Sequence, residues 1–89
     1  MADRKYLEPA ASIIRAFGGP DGDLTKGIDA VASITKKDRT RVFRWMRPKD
    51  VGGTGGRIPG QQRDVLYEAA RRRRLPITAE DFFGGARAA

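Results

Sequence analysis

An all-α fold, a compact bundle of four to five short helices, is the architecture this 89-residue chain predicts. Apolar residues recur at helical spacing in successive segments. Each segment is bounded by helix-capping residues and by glycine or proline stops. No segment alternates apolar and polar residues as a half-buried strand requires.

The elements follow in order. Met1 to Glu8 is polar and is expected to be flexible, frayed or loosely docked. Pro9 suits a first helical turn, where its missing N–H costs nothing. Ala10, Ile13, Ile14 and Phe17 then make one apolar stripe, and Gly18-Gly19-Pro20 stops the helix. After the turn residues Pro20 to Asp23, either Asp23 or Thr25 is placed to cap a second helix. Its inner face carries Leu24, Ile28, Val31, Ala32 and Thr35, while Gly27 inside it costs about 1 kcal/mol relative to alanine. Lys36 and Lys37 form a tight turn before Asp38, the N-cap of a third helix that ends by Arg47 because Pro48 disfavours helical backbone before it. Val51 to Gly60, with its run GGTGGRIPG, reads as a flexible linking loop. A fourth helix opens at Pro59 with Gln62, Val65, Leu66, Ala69 and Ala70 on its apolar stripe and runs into Arg71 to Arg74. Leu75-Pro76-Ile77 breaks it. Thr78 and Asp81 then resemble a capping box that starts one short turn bearing Phe82 and Phe83. This assigns residues 9–83 to a single domain between a flexible N-terminus, 1–8, and a flexible tail, 84–89.

Composition narrows the chemistry. The chain has no cysteine and no histidine, so disulfides, thiolate metal sites, cysteine nucleophiles and imidazole acid–base chemistry are excluded. Its carboxylates are scattered, and no two groups have the spacing of a general acid with a base or nucleophile. Neither an enzyme, a metal nor a cofactor is expected. No apolar run approaches the roughly 18 residues of a membrane span, and no signal-peptide core follows the first charges. A cytoplasmic, nucleoid-associated protein without a membrane partner is the expectation.

Charge is the most informative bulk property. The net charge is +7, from 18 Lys and Arg against 11 Asp and Glu. Met1 to Thr35 carries four basic and five acidic residues, Lys36 to Arg74 thirteen and four, and the last fifteen residues return to a net −1. A central block of +9 between near-neutral ends points to a polyanion, with nucleic acid the first candidate and an anionic membrane surface the second.

Two short helices joined by a tight turn, the second of them cationic, form the helix-turn-helix arrangement. Ala32 falls where the first helix must pass close to the second, Val42 follows ten residues later, and Trp45 three beyond that. The block AVASITKKDRTRVFRW, residues 30–45, resembles the helix-turn-helix of the Cro and lambda-repressor-like family in Ala32, Asp38, Val42 and Trp45. It departs from that pattern at Lys36, where the family usually has glycine, and at Lys37, which replaces an apolar residue. GGTGGRIP followed by an amphipathic helix and ITAEDFF is more loosely similar to small phage-derived transcription regulators. The resemblance implies a sequence-specific regulator that places its second helix in the major groove of double-stranded DNA.

At about 100° per residue, with Val42, Trp45 and Met46 inward, Thr40, Arg44 and Arg47 point outward and Arg41 and Phe43 lie on the flanks. Arg39 stands in the first turn, the end such helices insert into the groove. Arg39, Thr40, Phe43 and Arg44 are therefore assigned to base edges, since an arginine fork fits guanine and an apolar surface fits the thymine methyl. Lys36, Lys37, Arg41, Arg47 and Arg57 are assigned to phosphates. Phe43 is equally suited to contact DNA, to pack locally or to lie bare. GGTGGR lacks the Lys-Ser or Lys-Thr of a nucleotide-binding loop and reads as a turn. Arg71 to Arg74 fits three roles: helix-end charge, a second phosphate patch, or contacts to a protein.

One module reads few base pairs, so useful specificity implies a homodimer on two half-sites. Leu75, Ile77, Phe82 and Phe83 are either its dimer or partner surface or the closure of the monomer's core. Two other functions fit the same charge: a nucleoid-type DNA binder with little sequence preference, and an adaptor that binds another protein such as RNA polymerase.

Overall fold

The computed structural model describes residues 6–83, which form α1 (Ala10–Ala16), α2 (Leu24–Thr35), α3 (Arg39–Arg44), α4 (Gly60–Arg72) and α5 (Ala79–Phe83). One 3-10 turn, Lys49–Val51, lies between α3 and α4, and there is no strand among the described residues. The fold is the all-α bundle expected. The expectations for residues 1–5 and 84–89, and for the side chain of Phe83, fall outside what is described.

Each stripe meets the core, with instructive exceptions. Ala10, Ile13, Ile14 and Phe17 of the first segment are all buried. Fully burying a side chain such as Ile13 or Ile14 contributes about 1.5–3 kcal/mol. In α2 only Val31 of the apolar stripe is fully buried, whereas Leu24, Ile28, Ala32 and Thr35 are half-buried. α2 also makes a close approach to α1. A Cβ on Gly27 would lie 2.1 Å from the carbonyl oxygen of Ile14, and one on Gly18 the same distance from that of Asp23. Gly27 is thus the contact that lets α1 and α2 meet backbone to backbone. In α4, Leu66 and Ala70 are buried but Val65 is 45% exposed, so the expected stripe is one residue too wide.

The ends are capped largely as the residue types require. Asp23 accepts a hydrogen bond from the Lys26 N–H at 3.1 Å, which settles the choice between Asp23 and Thr25. Thr78 and Asp81 bond reciprocally, the Asp81 carboxylate accepting from the Thr78 N–H at 2.8 Å and the Thr78 hydroxyl oxygen from the Asp81 N–H at 3.3 Å. The box holds Phe82 against Tyr67, edge to face at 5.5 Å, and Phe82 is buried. Phe82 therefore closes the monomer's core.

Two segments expected to be loose are ordered parts of the fold. Tyr6 packs edge to face on Phe43 at 5.7 Å, the Leu7 N–H donates to the Met46 carbonyl, and the Glu8 carboxylate accepts from the Ser12 N–H. Residues 6–8 thus belong to the folded body. The glycine-rich loop after the 3-10 turn is not a flexible linker either. The Thr54 N–H donates to the Arg44 carbonyl at 3.1 Å and that of Gly55 to the Arg47 carbonyl at 2.8 Å. The Gly56 carbonyl accepts from the Ala10 N–H at 3.0 Å. The loop is a clasp between the end of α3 and the start of α1. Glycine is needed in it because a Cβ on Gly53 would lie 2.1 Å from the Arg47 oxygen.

Candidate nucleic-acid interface

The turn before α3 decides how that helix is presented. Lys36 adopts the left-handed conformation, φ 58° and ψ 36°, and the Lys37 N–H closes the turn on the Ala32 carbonyl at 3.2 Å. That is the hydrogen-bond pattern with which glycine commonly ends a helix, here carried by lysine. The departure from glycine at this position leaves the backbone geometry of the turn intact and adds a conformational cost.

Asp38 caps α3 by accepting from the Arg41 N–H at 2.9 Å. The helix is shorter than the span to Arg47 suggests. Trp45, Met46 and Arg47 donate their N–H groups to carbonyls three residues back, those of Val42, Phe43 and Arg44. The last turn tightens in this way because Pro48 follows and the clasp takes the Arg44 and Arg47 carbonyls. Val42, Trp45 and Met46 are buried, as the helical angle requires. α3 is fixed at its start by a cap, along its inner face by the core and at its end by the clasp.

The candidate contact residues fall into three groups. Thr40, Arg41 and Arg44 are exposed and lie within about 100° of one another around the helix, opposite Val42. Lys36 and Arg57 are also exposed, and Lys37 is half-buried.

Arg39 is held. Its Nε lies 2.9 Å from Oδ1 of Asp29 on α2, with both side chains more than half exposed. A pair this exposed contributes no more than about 1 kcal/mol. Its value is orientation, because it occupies Nε and leaves the terminal amino groups of the guanidinium free.

Phe43 and Arg47 form the third group. Phe43 is half-buried between the ring of Tyr6 and the Arg47 guanidinium, which lies 5.4 Å above it. Phe43 thus packs locally while still edging, with Ile28, Arg39 and Thr40, a shallow depression on this face. Arg47 is half-buried and drawn to the Phe43 side, away from the Thr40–Arg41–Arg44 group.

Three contributors have no place in the sequence reading: Asp29, Tyr6 and Thr54. Asp29 had a signal, since it precedes Arg39 by the same ten residues that separate Ala32 from Val42. Tyr6 had none, because nothing in a polar N-terminal stretch marks its docking site. Thr54 sits among glycines, and its hydroxyl lies within hydrogen-bond reach of two carbonyls, those of Trp45 and Arg57, either of which accepts its one proton.

Among the described residues no group of three or more Asp and Glu could hold a metal ion, and no helix is long and apolar enough to cross a membrane. No family model, curated protein or solved structure matches the chain.

Proposed function

We propose that this chain is a sequence-specific regulator of transcription that binds double-stranded DNA by laying α3 in the major groove. The observation that carries the reading is a short helix braced on three sides whose free side presents Thr40, Arg41 and Arg44. Seven of the fourteen residues from Lys36 to Lys49 are basic and only Asp38 is acidic, and that carboxylate is spent on capping the helix. Such a density of like charge is unfavourable in isolation and becomes favourable against phosphates.

In this reading Thr40, Arg44 and the oriented fork of Arg39 meet base edges, with Phe43 supplying apolar surface beside them. Lys36, Lys37, Arg41 and Arg57 meet phosphates, and Arg47 reaches one from the Phe43 flank. Two copies sit on half-sites about one helical turn apart. In the cell the protein is nucleoid-associated.

The test is affinity for duplexes selected from a randomised pool against affinity for random duplex at one fixed salt concentration. A preference of roughly a thousandfold or more is expected of specific regulation. A preference under about tenfold would replace it with a nucleoid-type binder that uses phosphates alone. Absence of duplex binding, with an acidic protein captured through the same face, would replace it with an adaptor.

A further inference from the structure

The arginines that end α4 are not used by the α3 face, and their surroundings give them a separate role. Arg71, Arg72, Arg73 and Arg74 are consecutive and all exposed, and none forms an ion pair with a described residue. Helix-end charge does not account for four of them. Three of the last four carbonyls of α4 are already taken by backbone N–H groups: Arg73 donates to Ala69, Arg74 to Arg71 and Leu75 to Ala70. A cation near the end of a helix is favourable, but four crowded at one end also repel one another.

Two of the four are held in place. The Arg71 guanidinium lies 5.9 Å from the ring centre of Tyr67, and that of Arg73 lies 5.8 Å from that of Phe17. Arg71 and Arg73 are 200° apart around the helix, so Arg72 projects between them, away from the buried Leu66 and Ala70. Arg74 has φ 55°, the left-handed conformation, at a position where glycine would be less strained. Arg15 lines the same depression as Leu75 and Pro76, which directly follow Arg74, and brings a fifth cation to this end.

The patch is remote from the α3 turn. Phe17 ends α1, and Gly18 touches the Asp23 carbonyl at the start of α2, so the arginines sit near the N-terminal end of α2. Lys36 and Lys37 stand at its other end, about 18 Å away along twelve residues.

We infer that Arg71 to Arg74, with Arg15, form a second binding site for backbone phosphates of DNA, separate from the α3 face. The inference rests on the DNA-binding reading above. The phosphates come either from the flank of the duplex that α3 holds or from a second duplex.

The test is the salt dependence of duplex binding by the full chain. R72Q/R74Q removes the two arginines that touch no ring, and R72Q alone is the milder variant should the pair unfold. A cooperative thermal unfolding transition in either variant shows that the fold is kept. Losing two phosphate contacts lowers the slope of log K against log salt by about 1.8, so between 50 and 200 mM salt the variant loses about twelvefold less affinity than the native chain. The loss in slope is expected to be the same for every duplex sequence. If it vanishes on a duplex trimmed to one half-site and returns on a longer one, the phosphates belong to the flank. Capture of a second labelled duplex by the native chain, but not by the variant, assigns them to another duplex. An unchanged slope in both variants, while R41Q/R44Q loses binding, overturns this inference and leaves the α3 reading standing. If the native chain binds no duplex at all, both fall together.

Discussion

Lys36 carries a cost that the rest of the turn does not explain. An L-residue in the left-handed region is disfavoured by about 1–2 kcal/mol, and Lys36 sits there at φ 58° to end α2. The compensation is a cation beside the phosphates that α3 is proposed to straddle. Lys36→Gly separates the two effects. Stability should rise by about 1 kcal/mol, a Tm increase of roughly 4–8 °C, while the slope of log K against log salt falls by about 0.9. Thermal unfolding and a salt titration on one duplex read both; a lower Tm would mean that the lysine side chain itself holds the turn. Arg44 answers a different question, being exposed and with no ion pair among the described residues. Arg44→Ala should cost about 1–3 kcal/mol of binding concentrated at one base pair of a selected site. Uniform weakening on all sequences would make it a phosphate contact instead.

Between elements, the decisive contacts are those a periodicity cannot describe. The stripes of α1 and α3 are legible because one helix face is set by its own sequence: Ile13, Ile14, Val42 and Met46 are all buried. Gly27 is misjudged by the same reasoning. Propensity prices it as a weak point of α2, but the carbonyl of Ile14 lies where its side chain would be. Which glycine a neighbouring helix crosses depends on the approach of two chains, and that information is in neither stripe alone. The clasp is hidden for a similar reason, since GGTGGR has the composition of a loose linker and gains order from the groups it bonds, those of Arg44, Arg47 and Ala10 among them. Asp29 belongs with them, as its role exists only once α3 lies against α2. Gly27→Ala tests the crossing. Helix propensity alone predicts stabilisation by about 1 kcal/mol, whereas a clash with backbone that cannot yield predicts a loss of about 1–3 kcal/mol. Urea unfolding followed by circular dichroism distinguishes them by sign. A stabilised variant would show that α1 and α2 do not meet as closely as described.

At the scale of the whole molecule, charge is the property that sequence reports most directly and folding makes most expensive. Lys36 to Arg74 holds thirteen cations and four acids, and folding brings them into a body whose principal extents are 34 × 28 × 27 Å. At 0.01 M salt the screening length is about 30 Å, so every cation feels the others; at 0.1 M it is about 10 Å, and only neighbours do. Like charges three or four residues apart on a helix cost about 0.2–0.5 kcal/mol a pair, and Arg41–Arg44, Arg44–Arg47 and Arg71–Arg74 stand at that spacing. Raising salt from 0.01 to 0.1 M should therefore stabilise the chain by about 1 kcal/mol, a Tm rise of roughly 4–8 °C. R72Q/R74Q should reduce that rise by relieving repulsion at the end of α4, with no DNA present. A Tm that falls with salt would mean that favourable ion pairs outweigh the repulsion, and the cationic density would lose its force as an argument for a polyanion. Duplex DNA at a hundred times its Kd adds about 2.7 kcal/mol at fixed salt, more than screening supplies. If the proposed function holds, the ligand of α3 thus also relieves the charge of the fold.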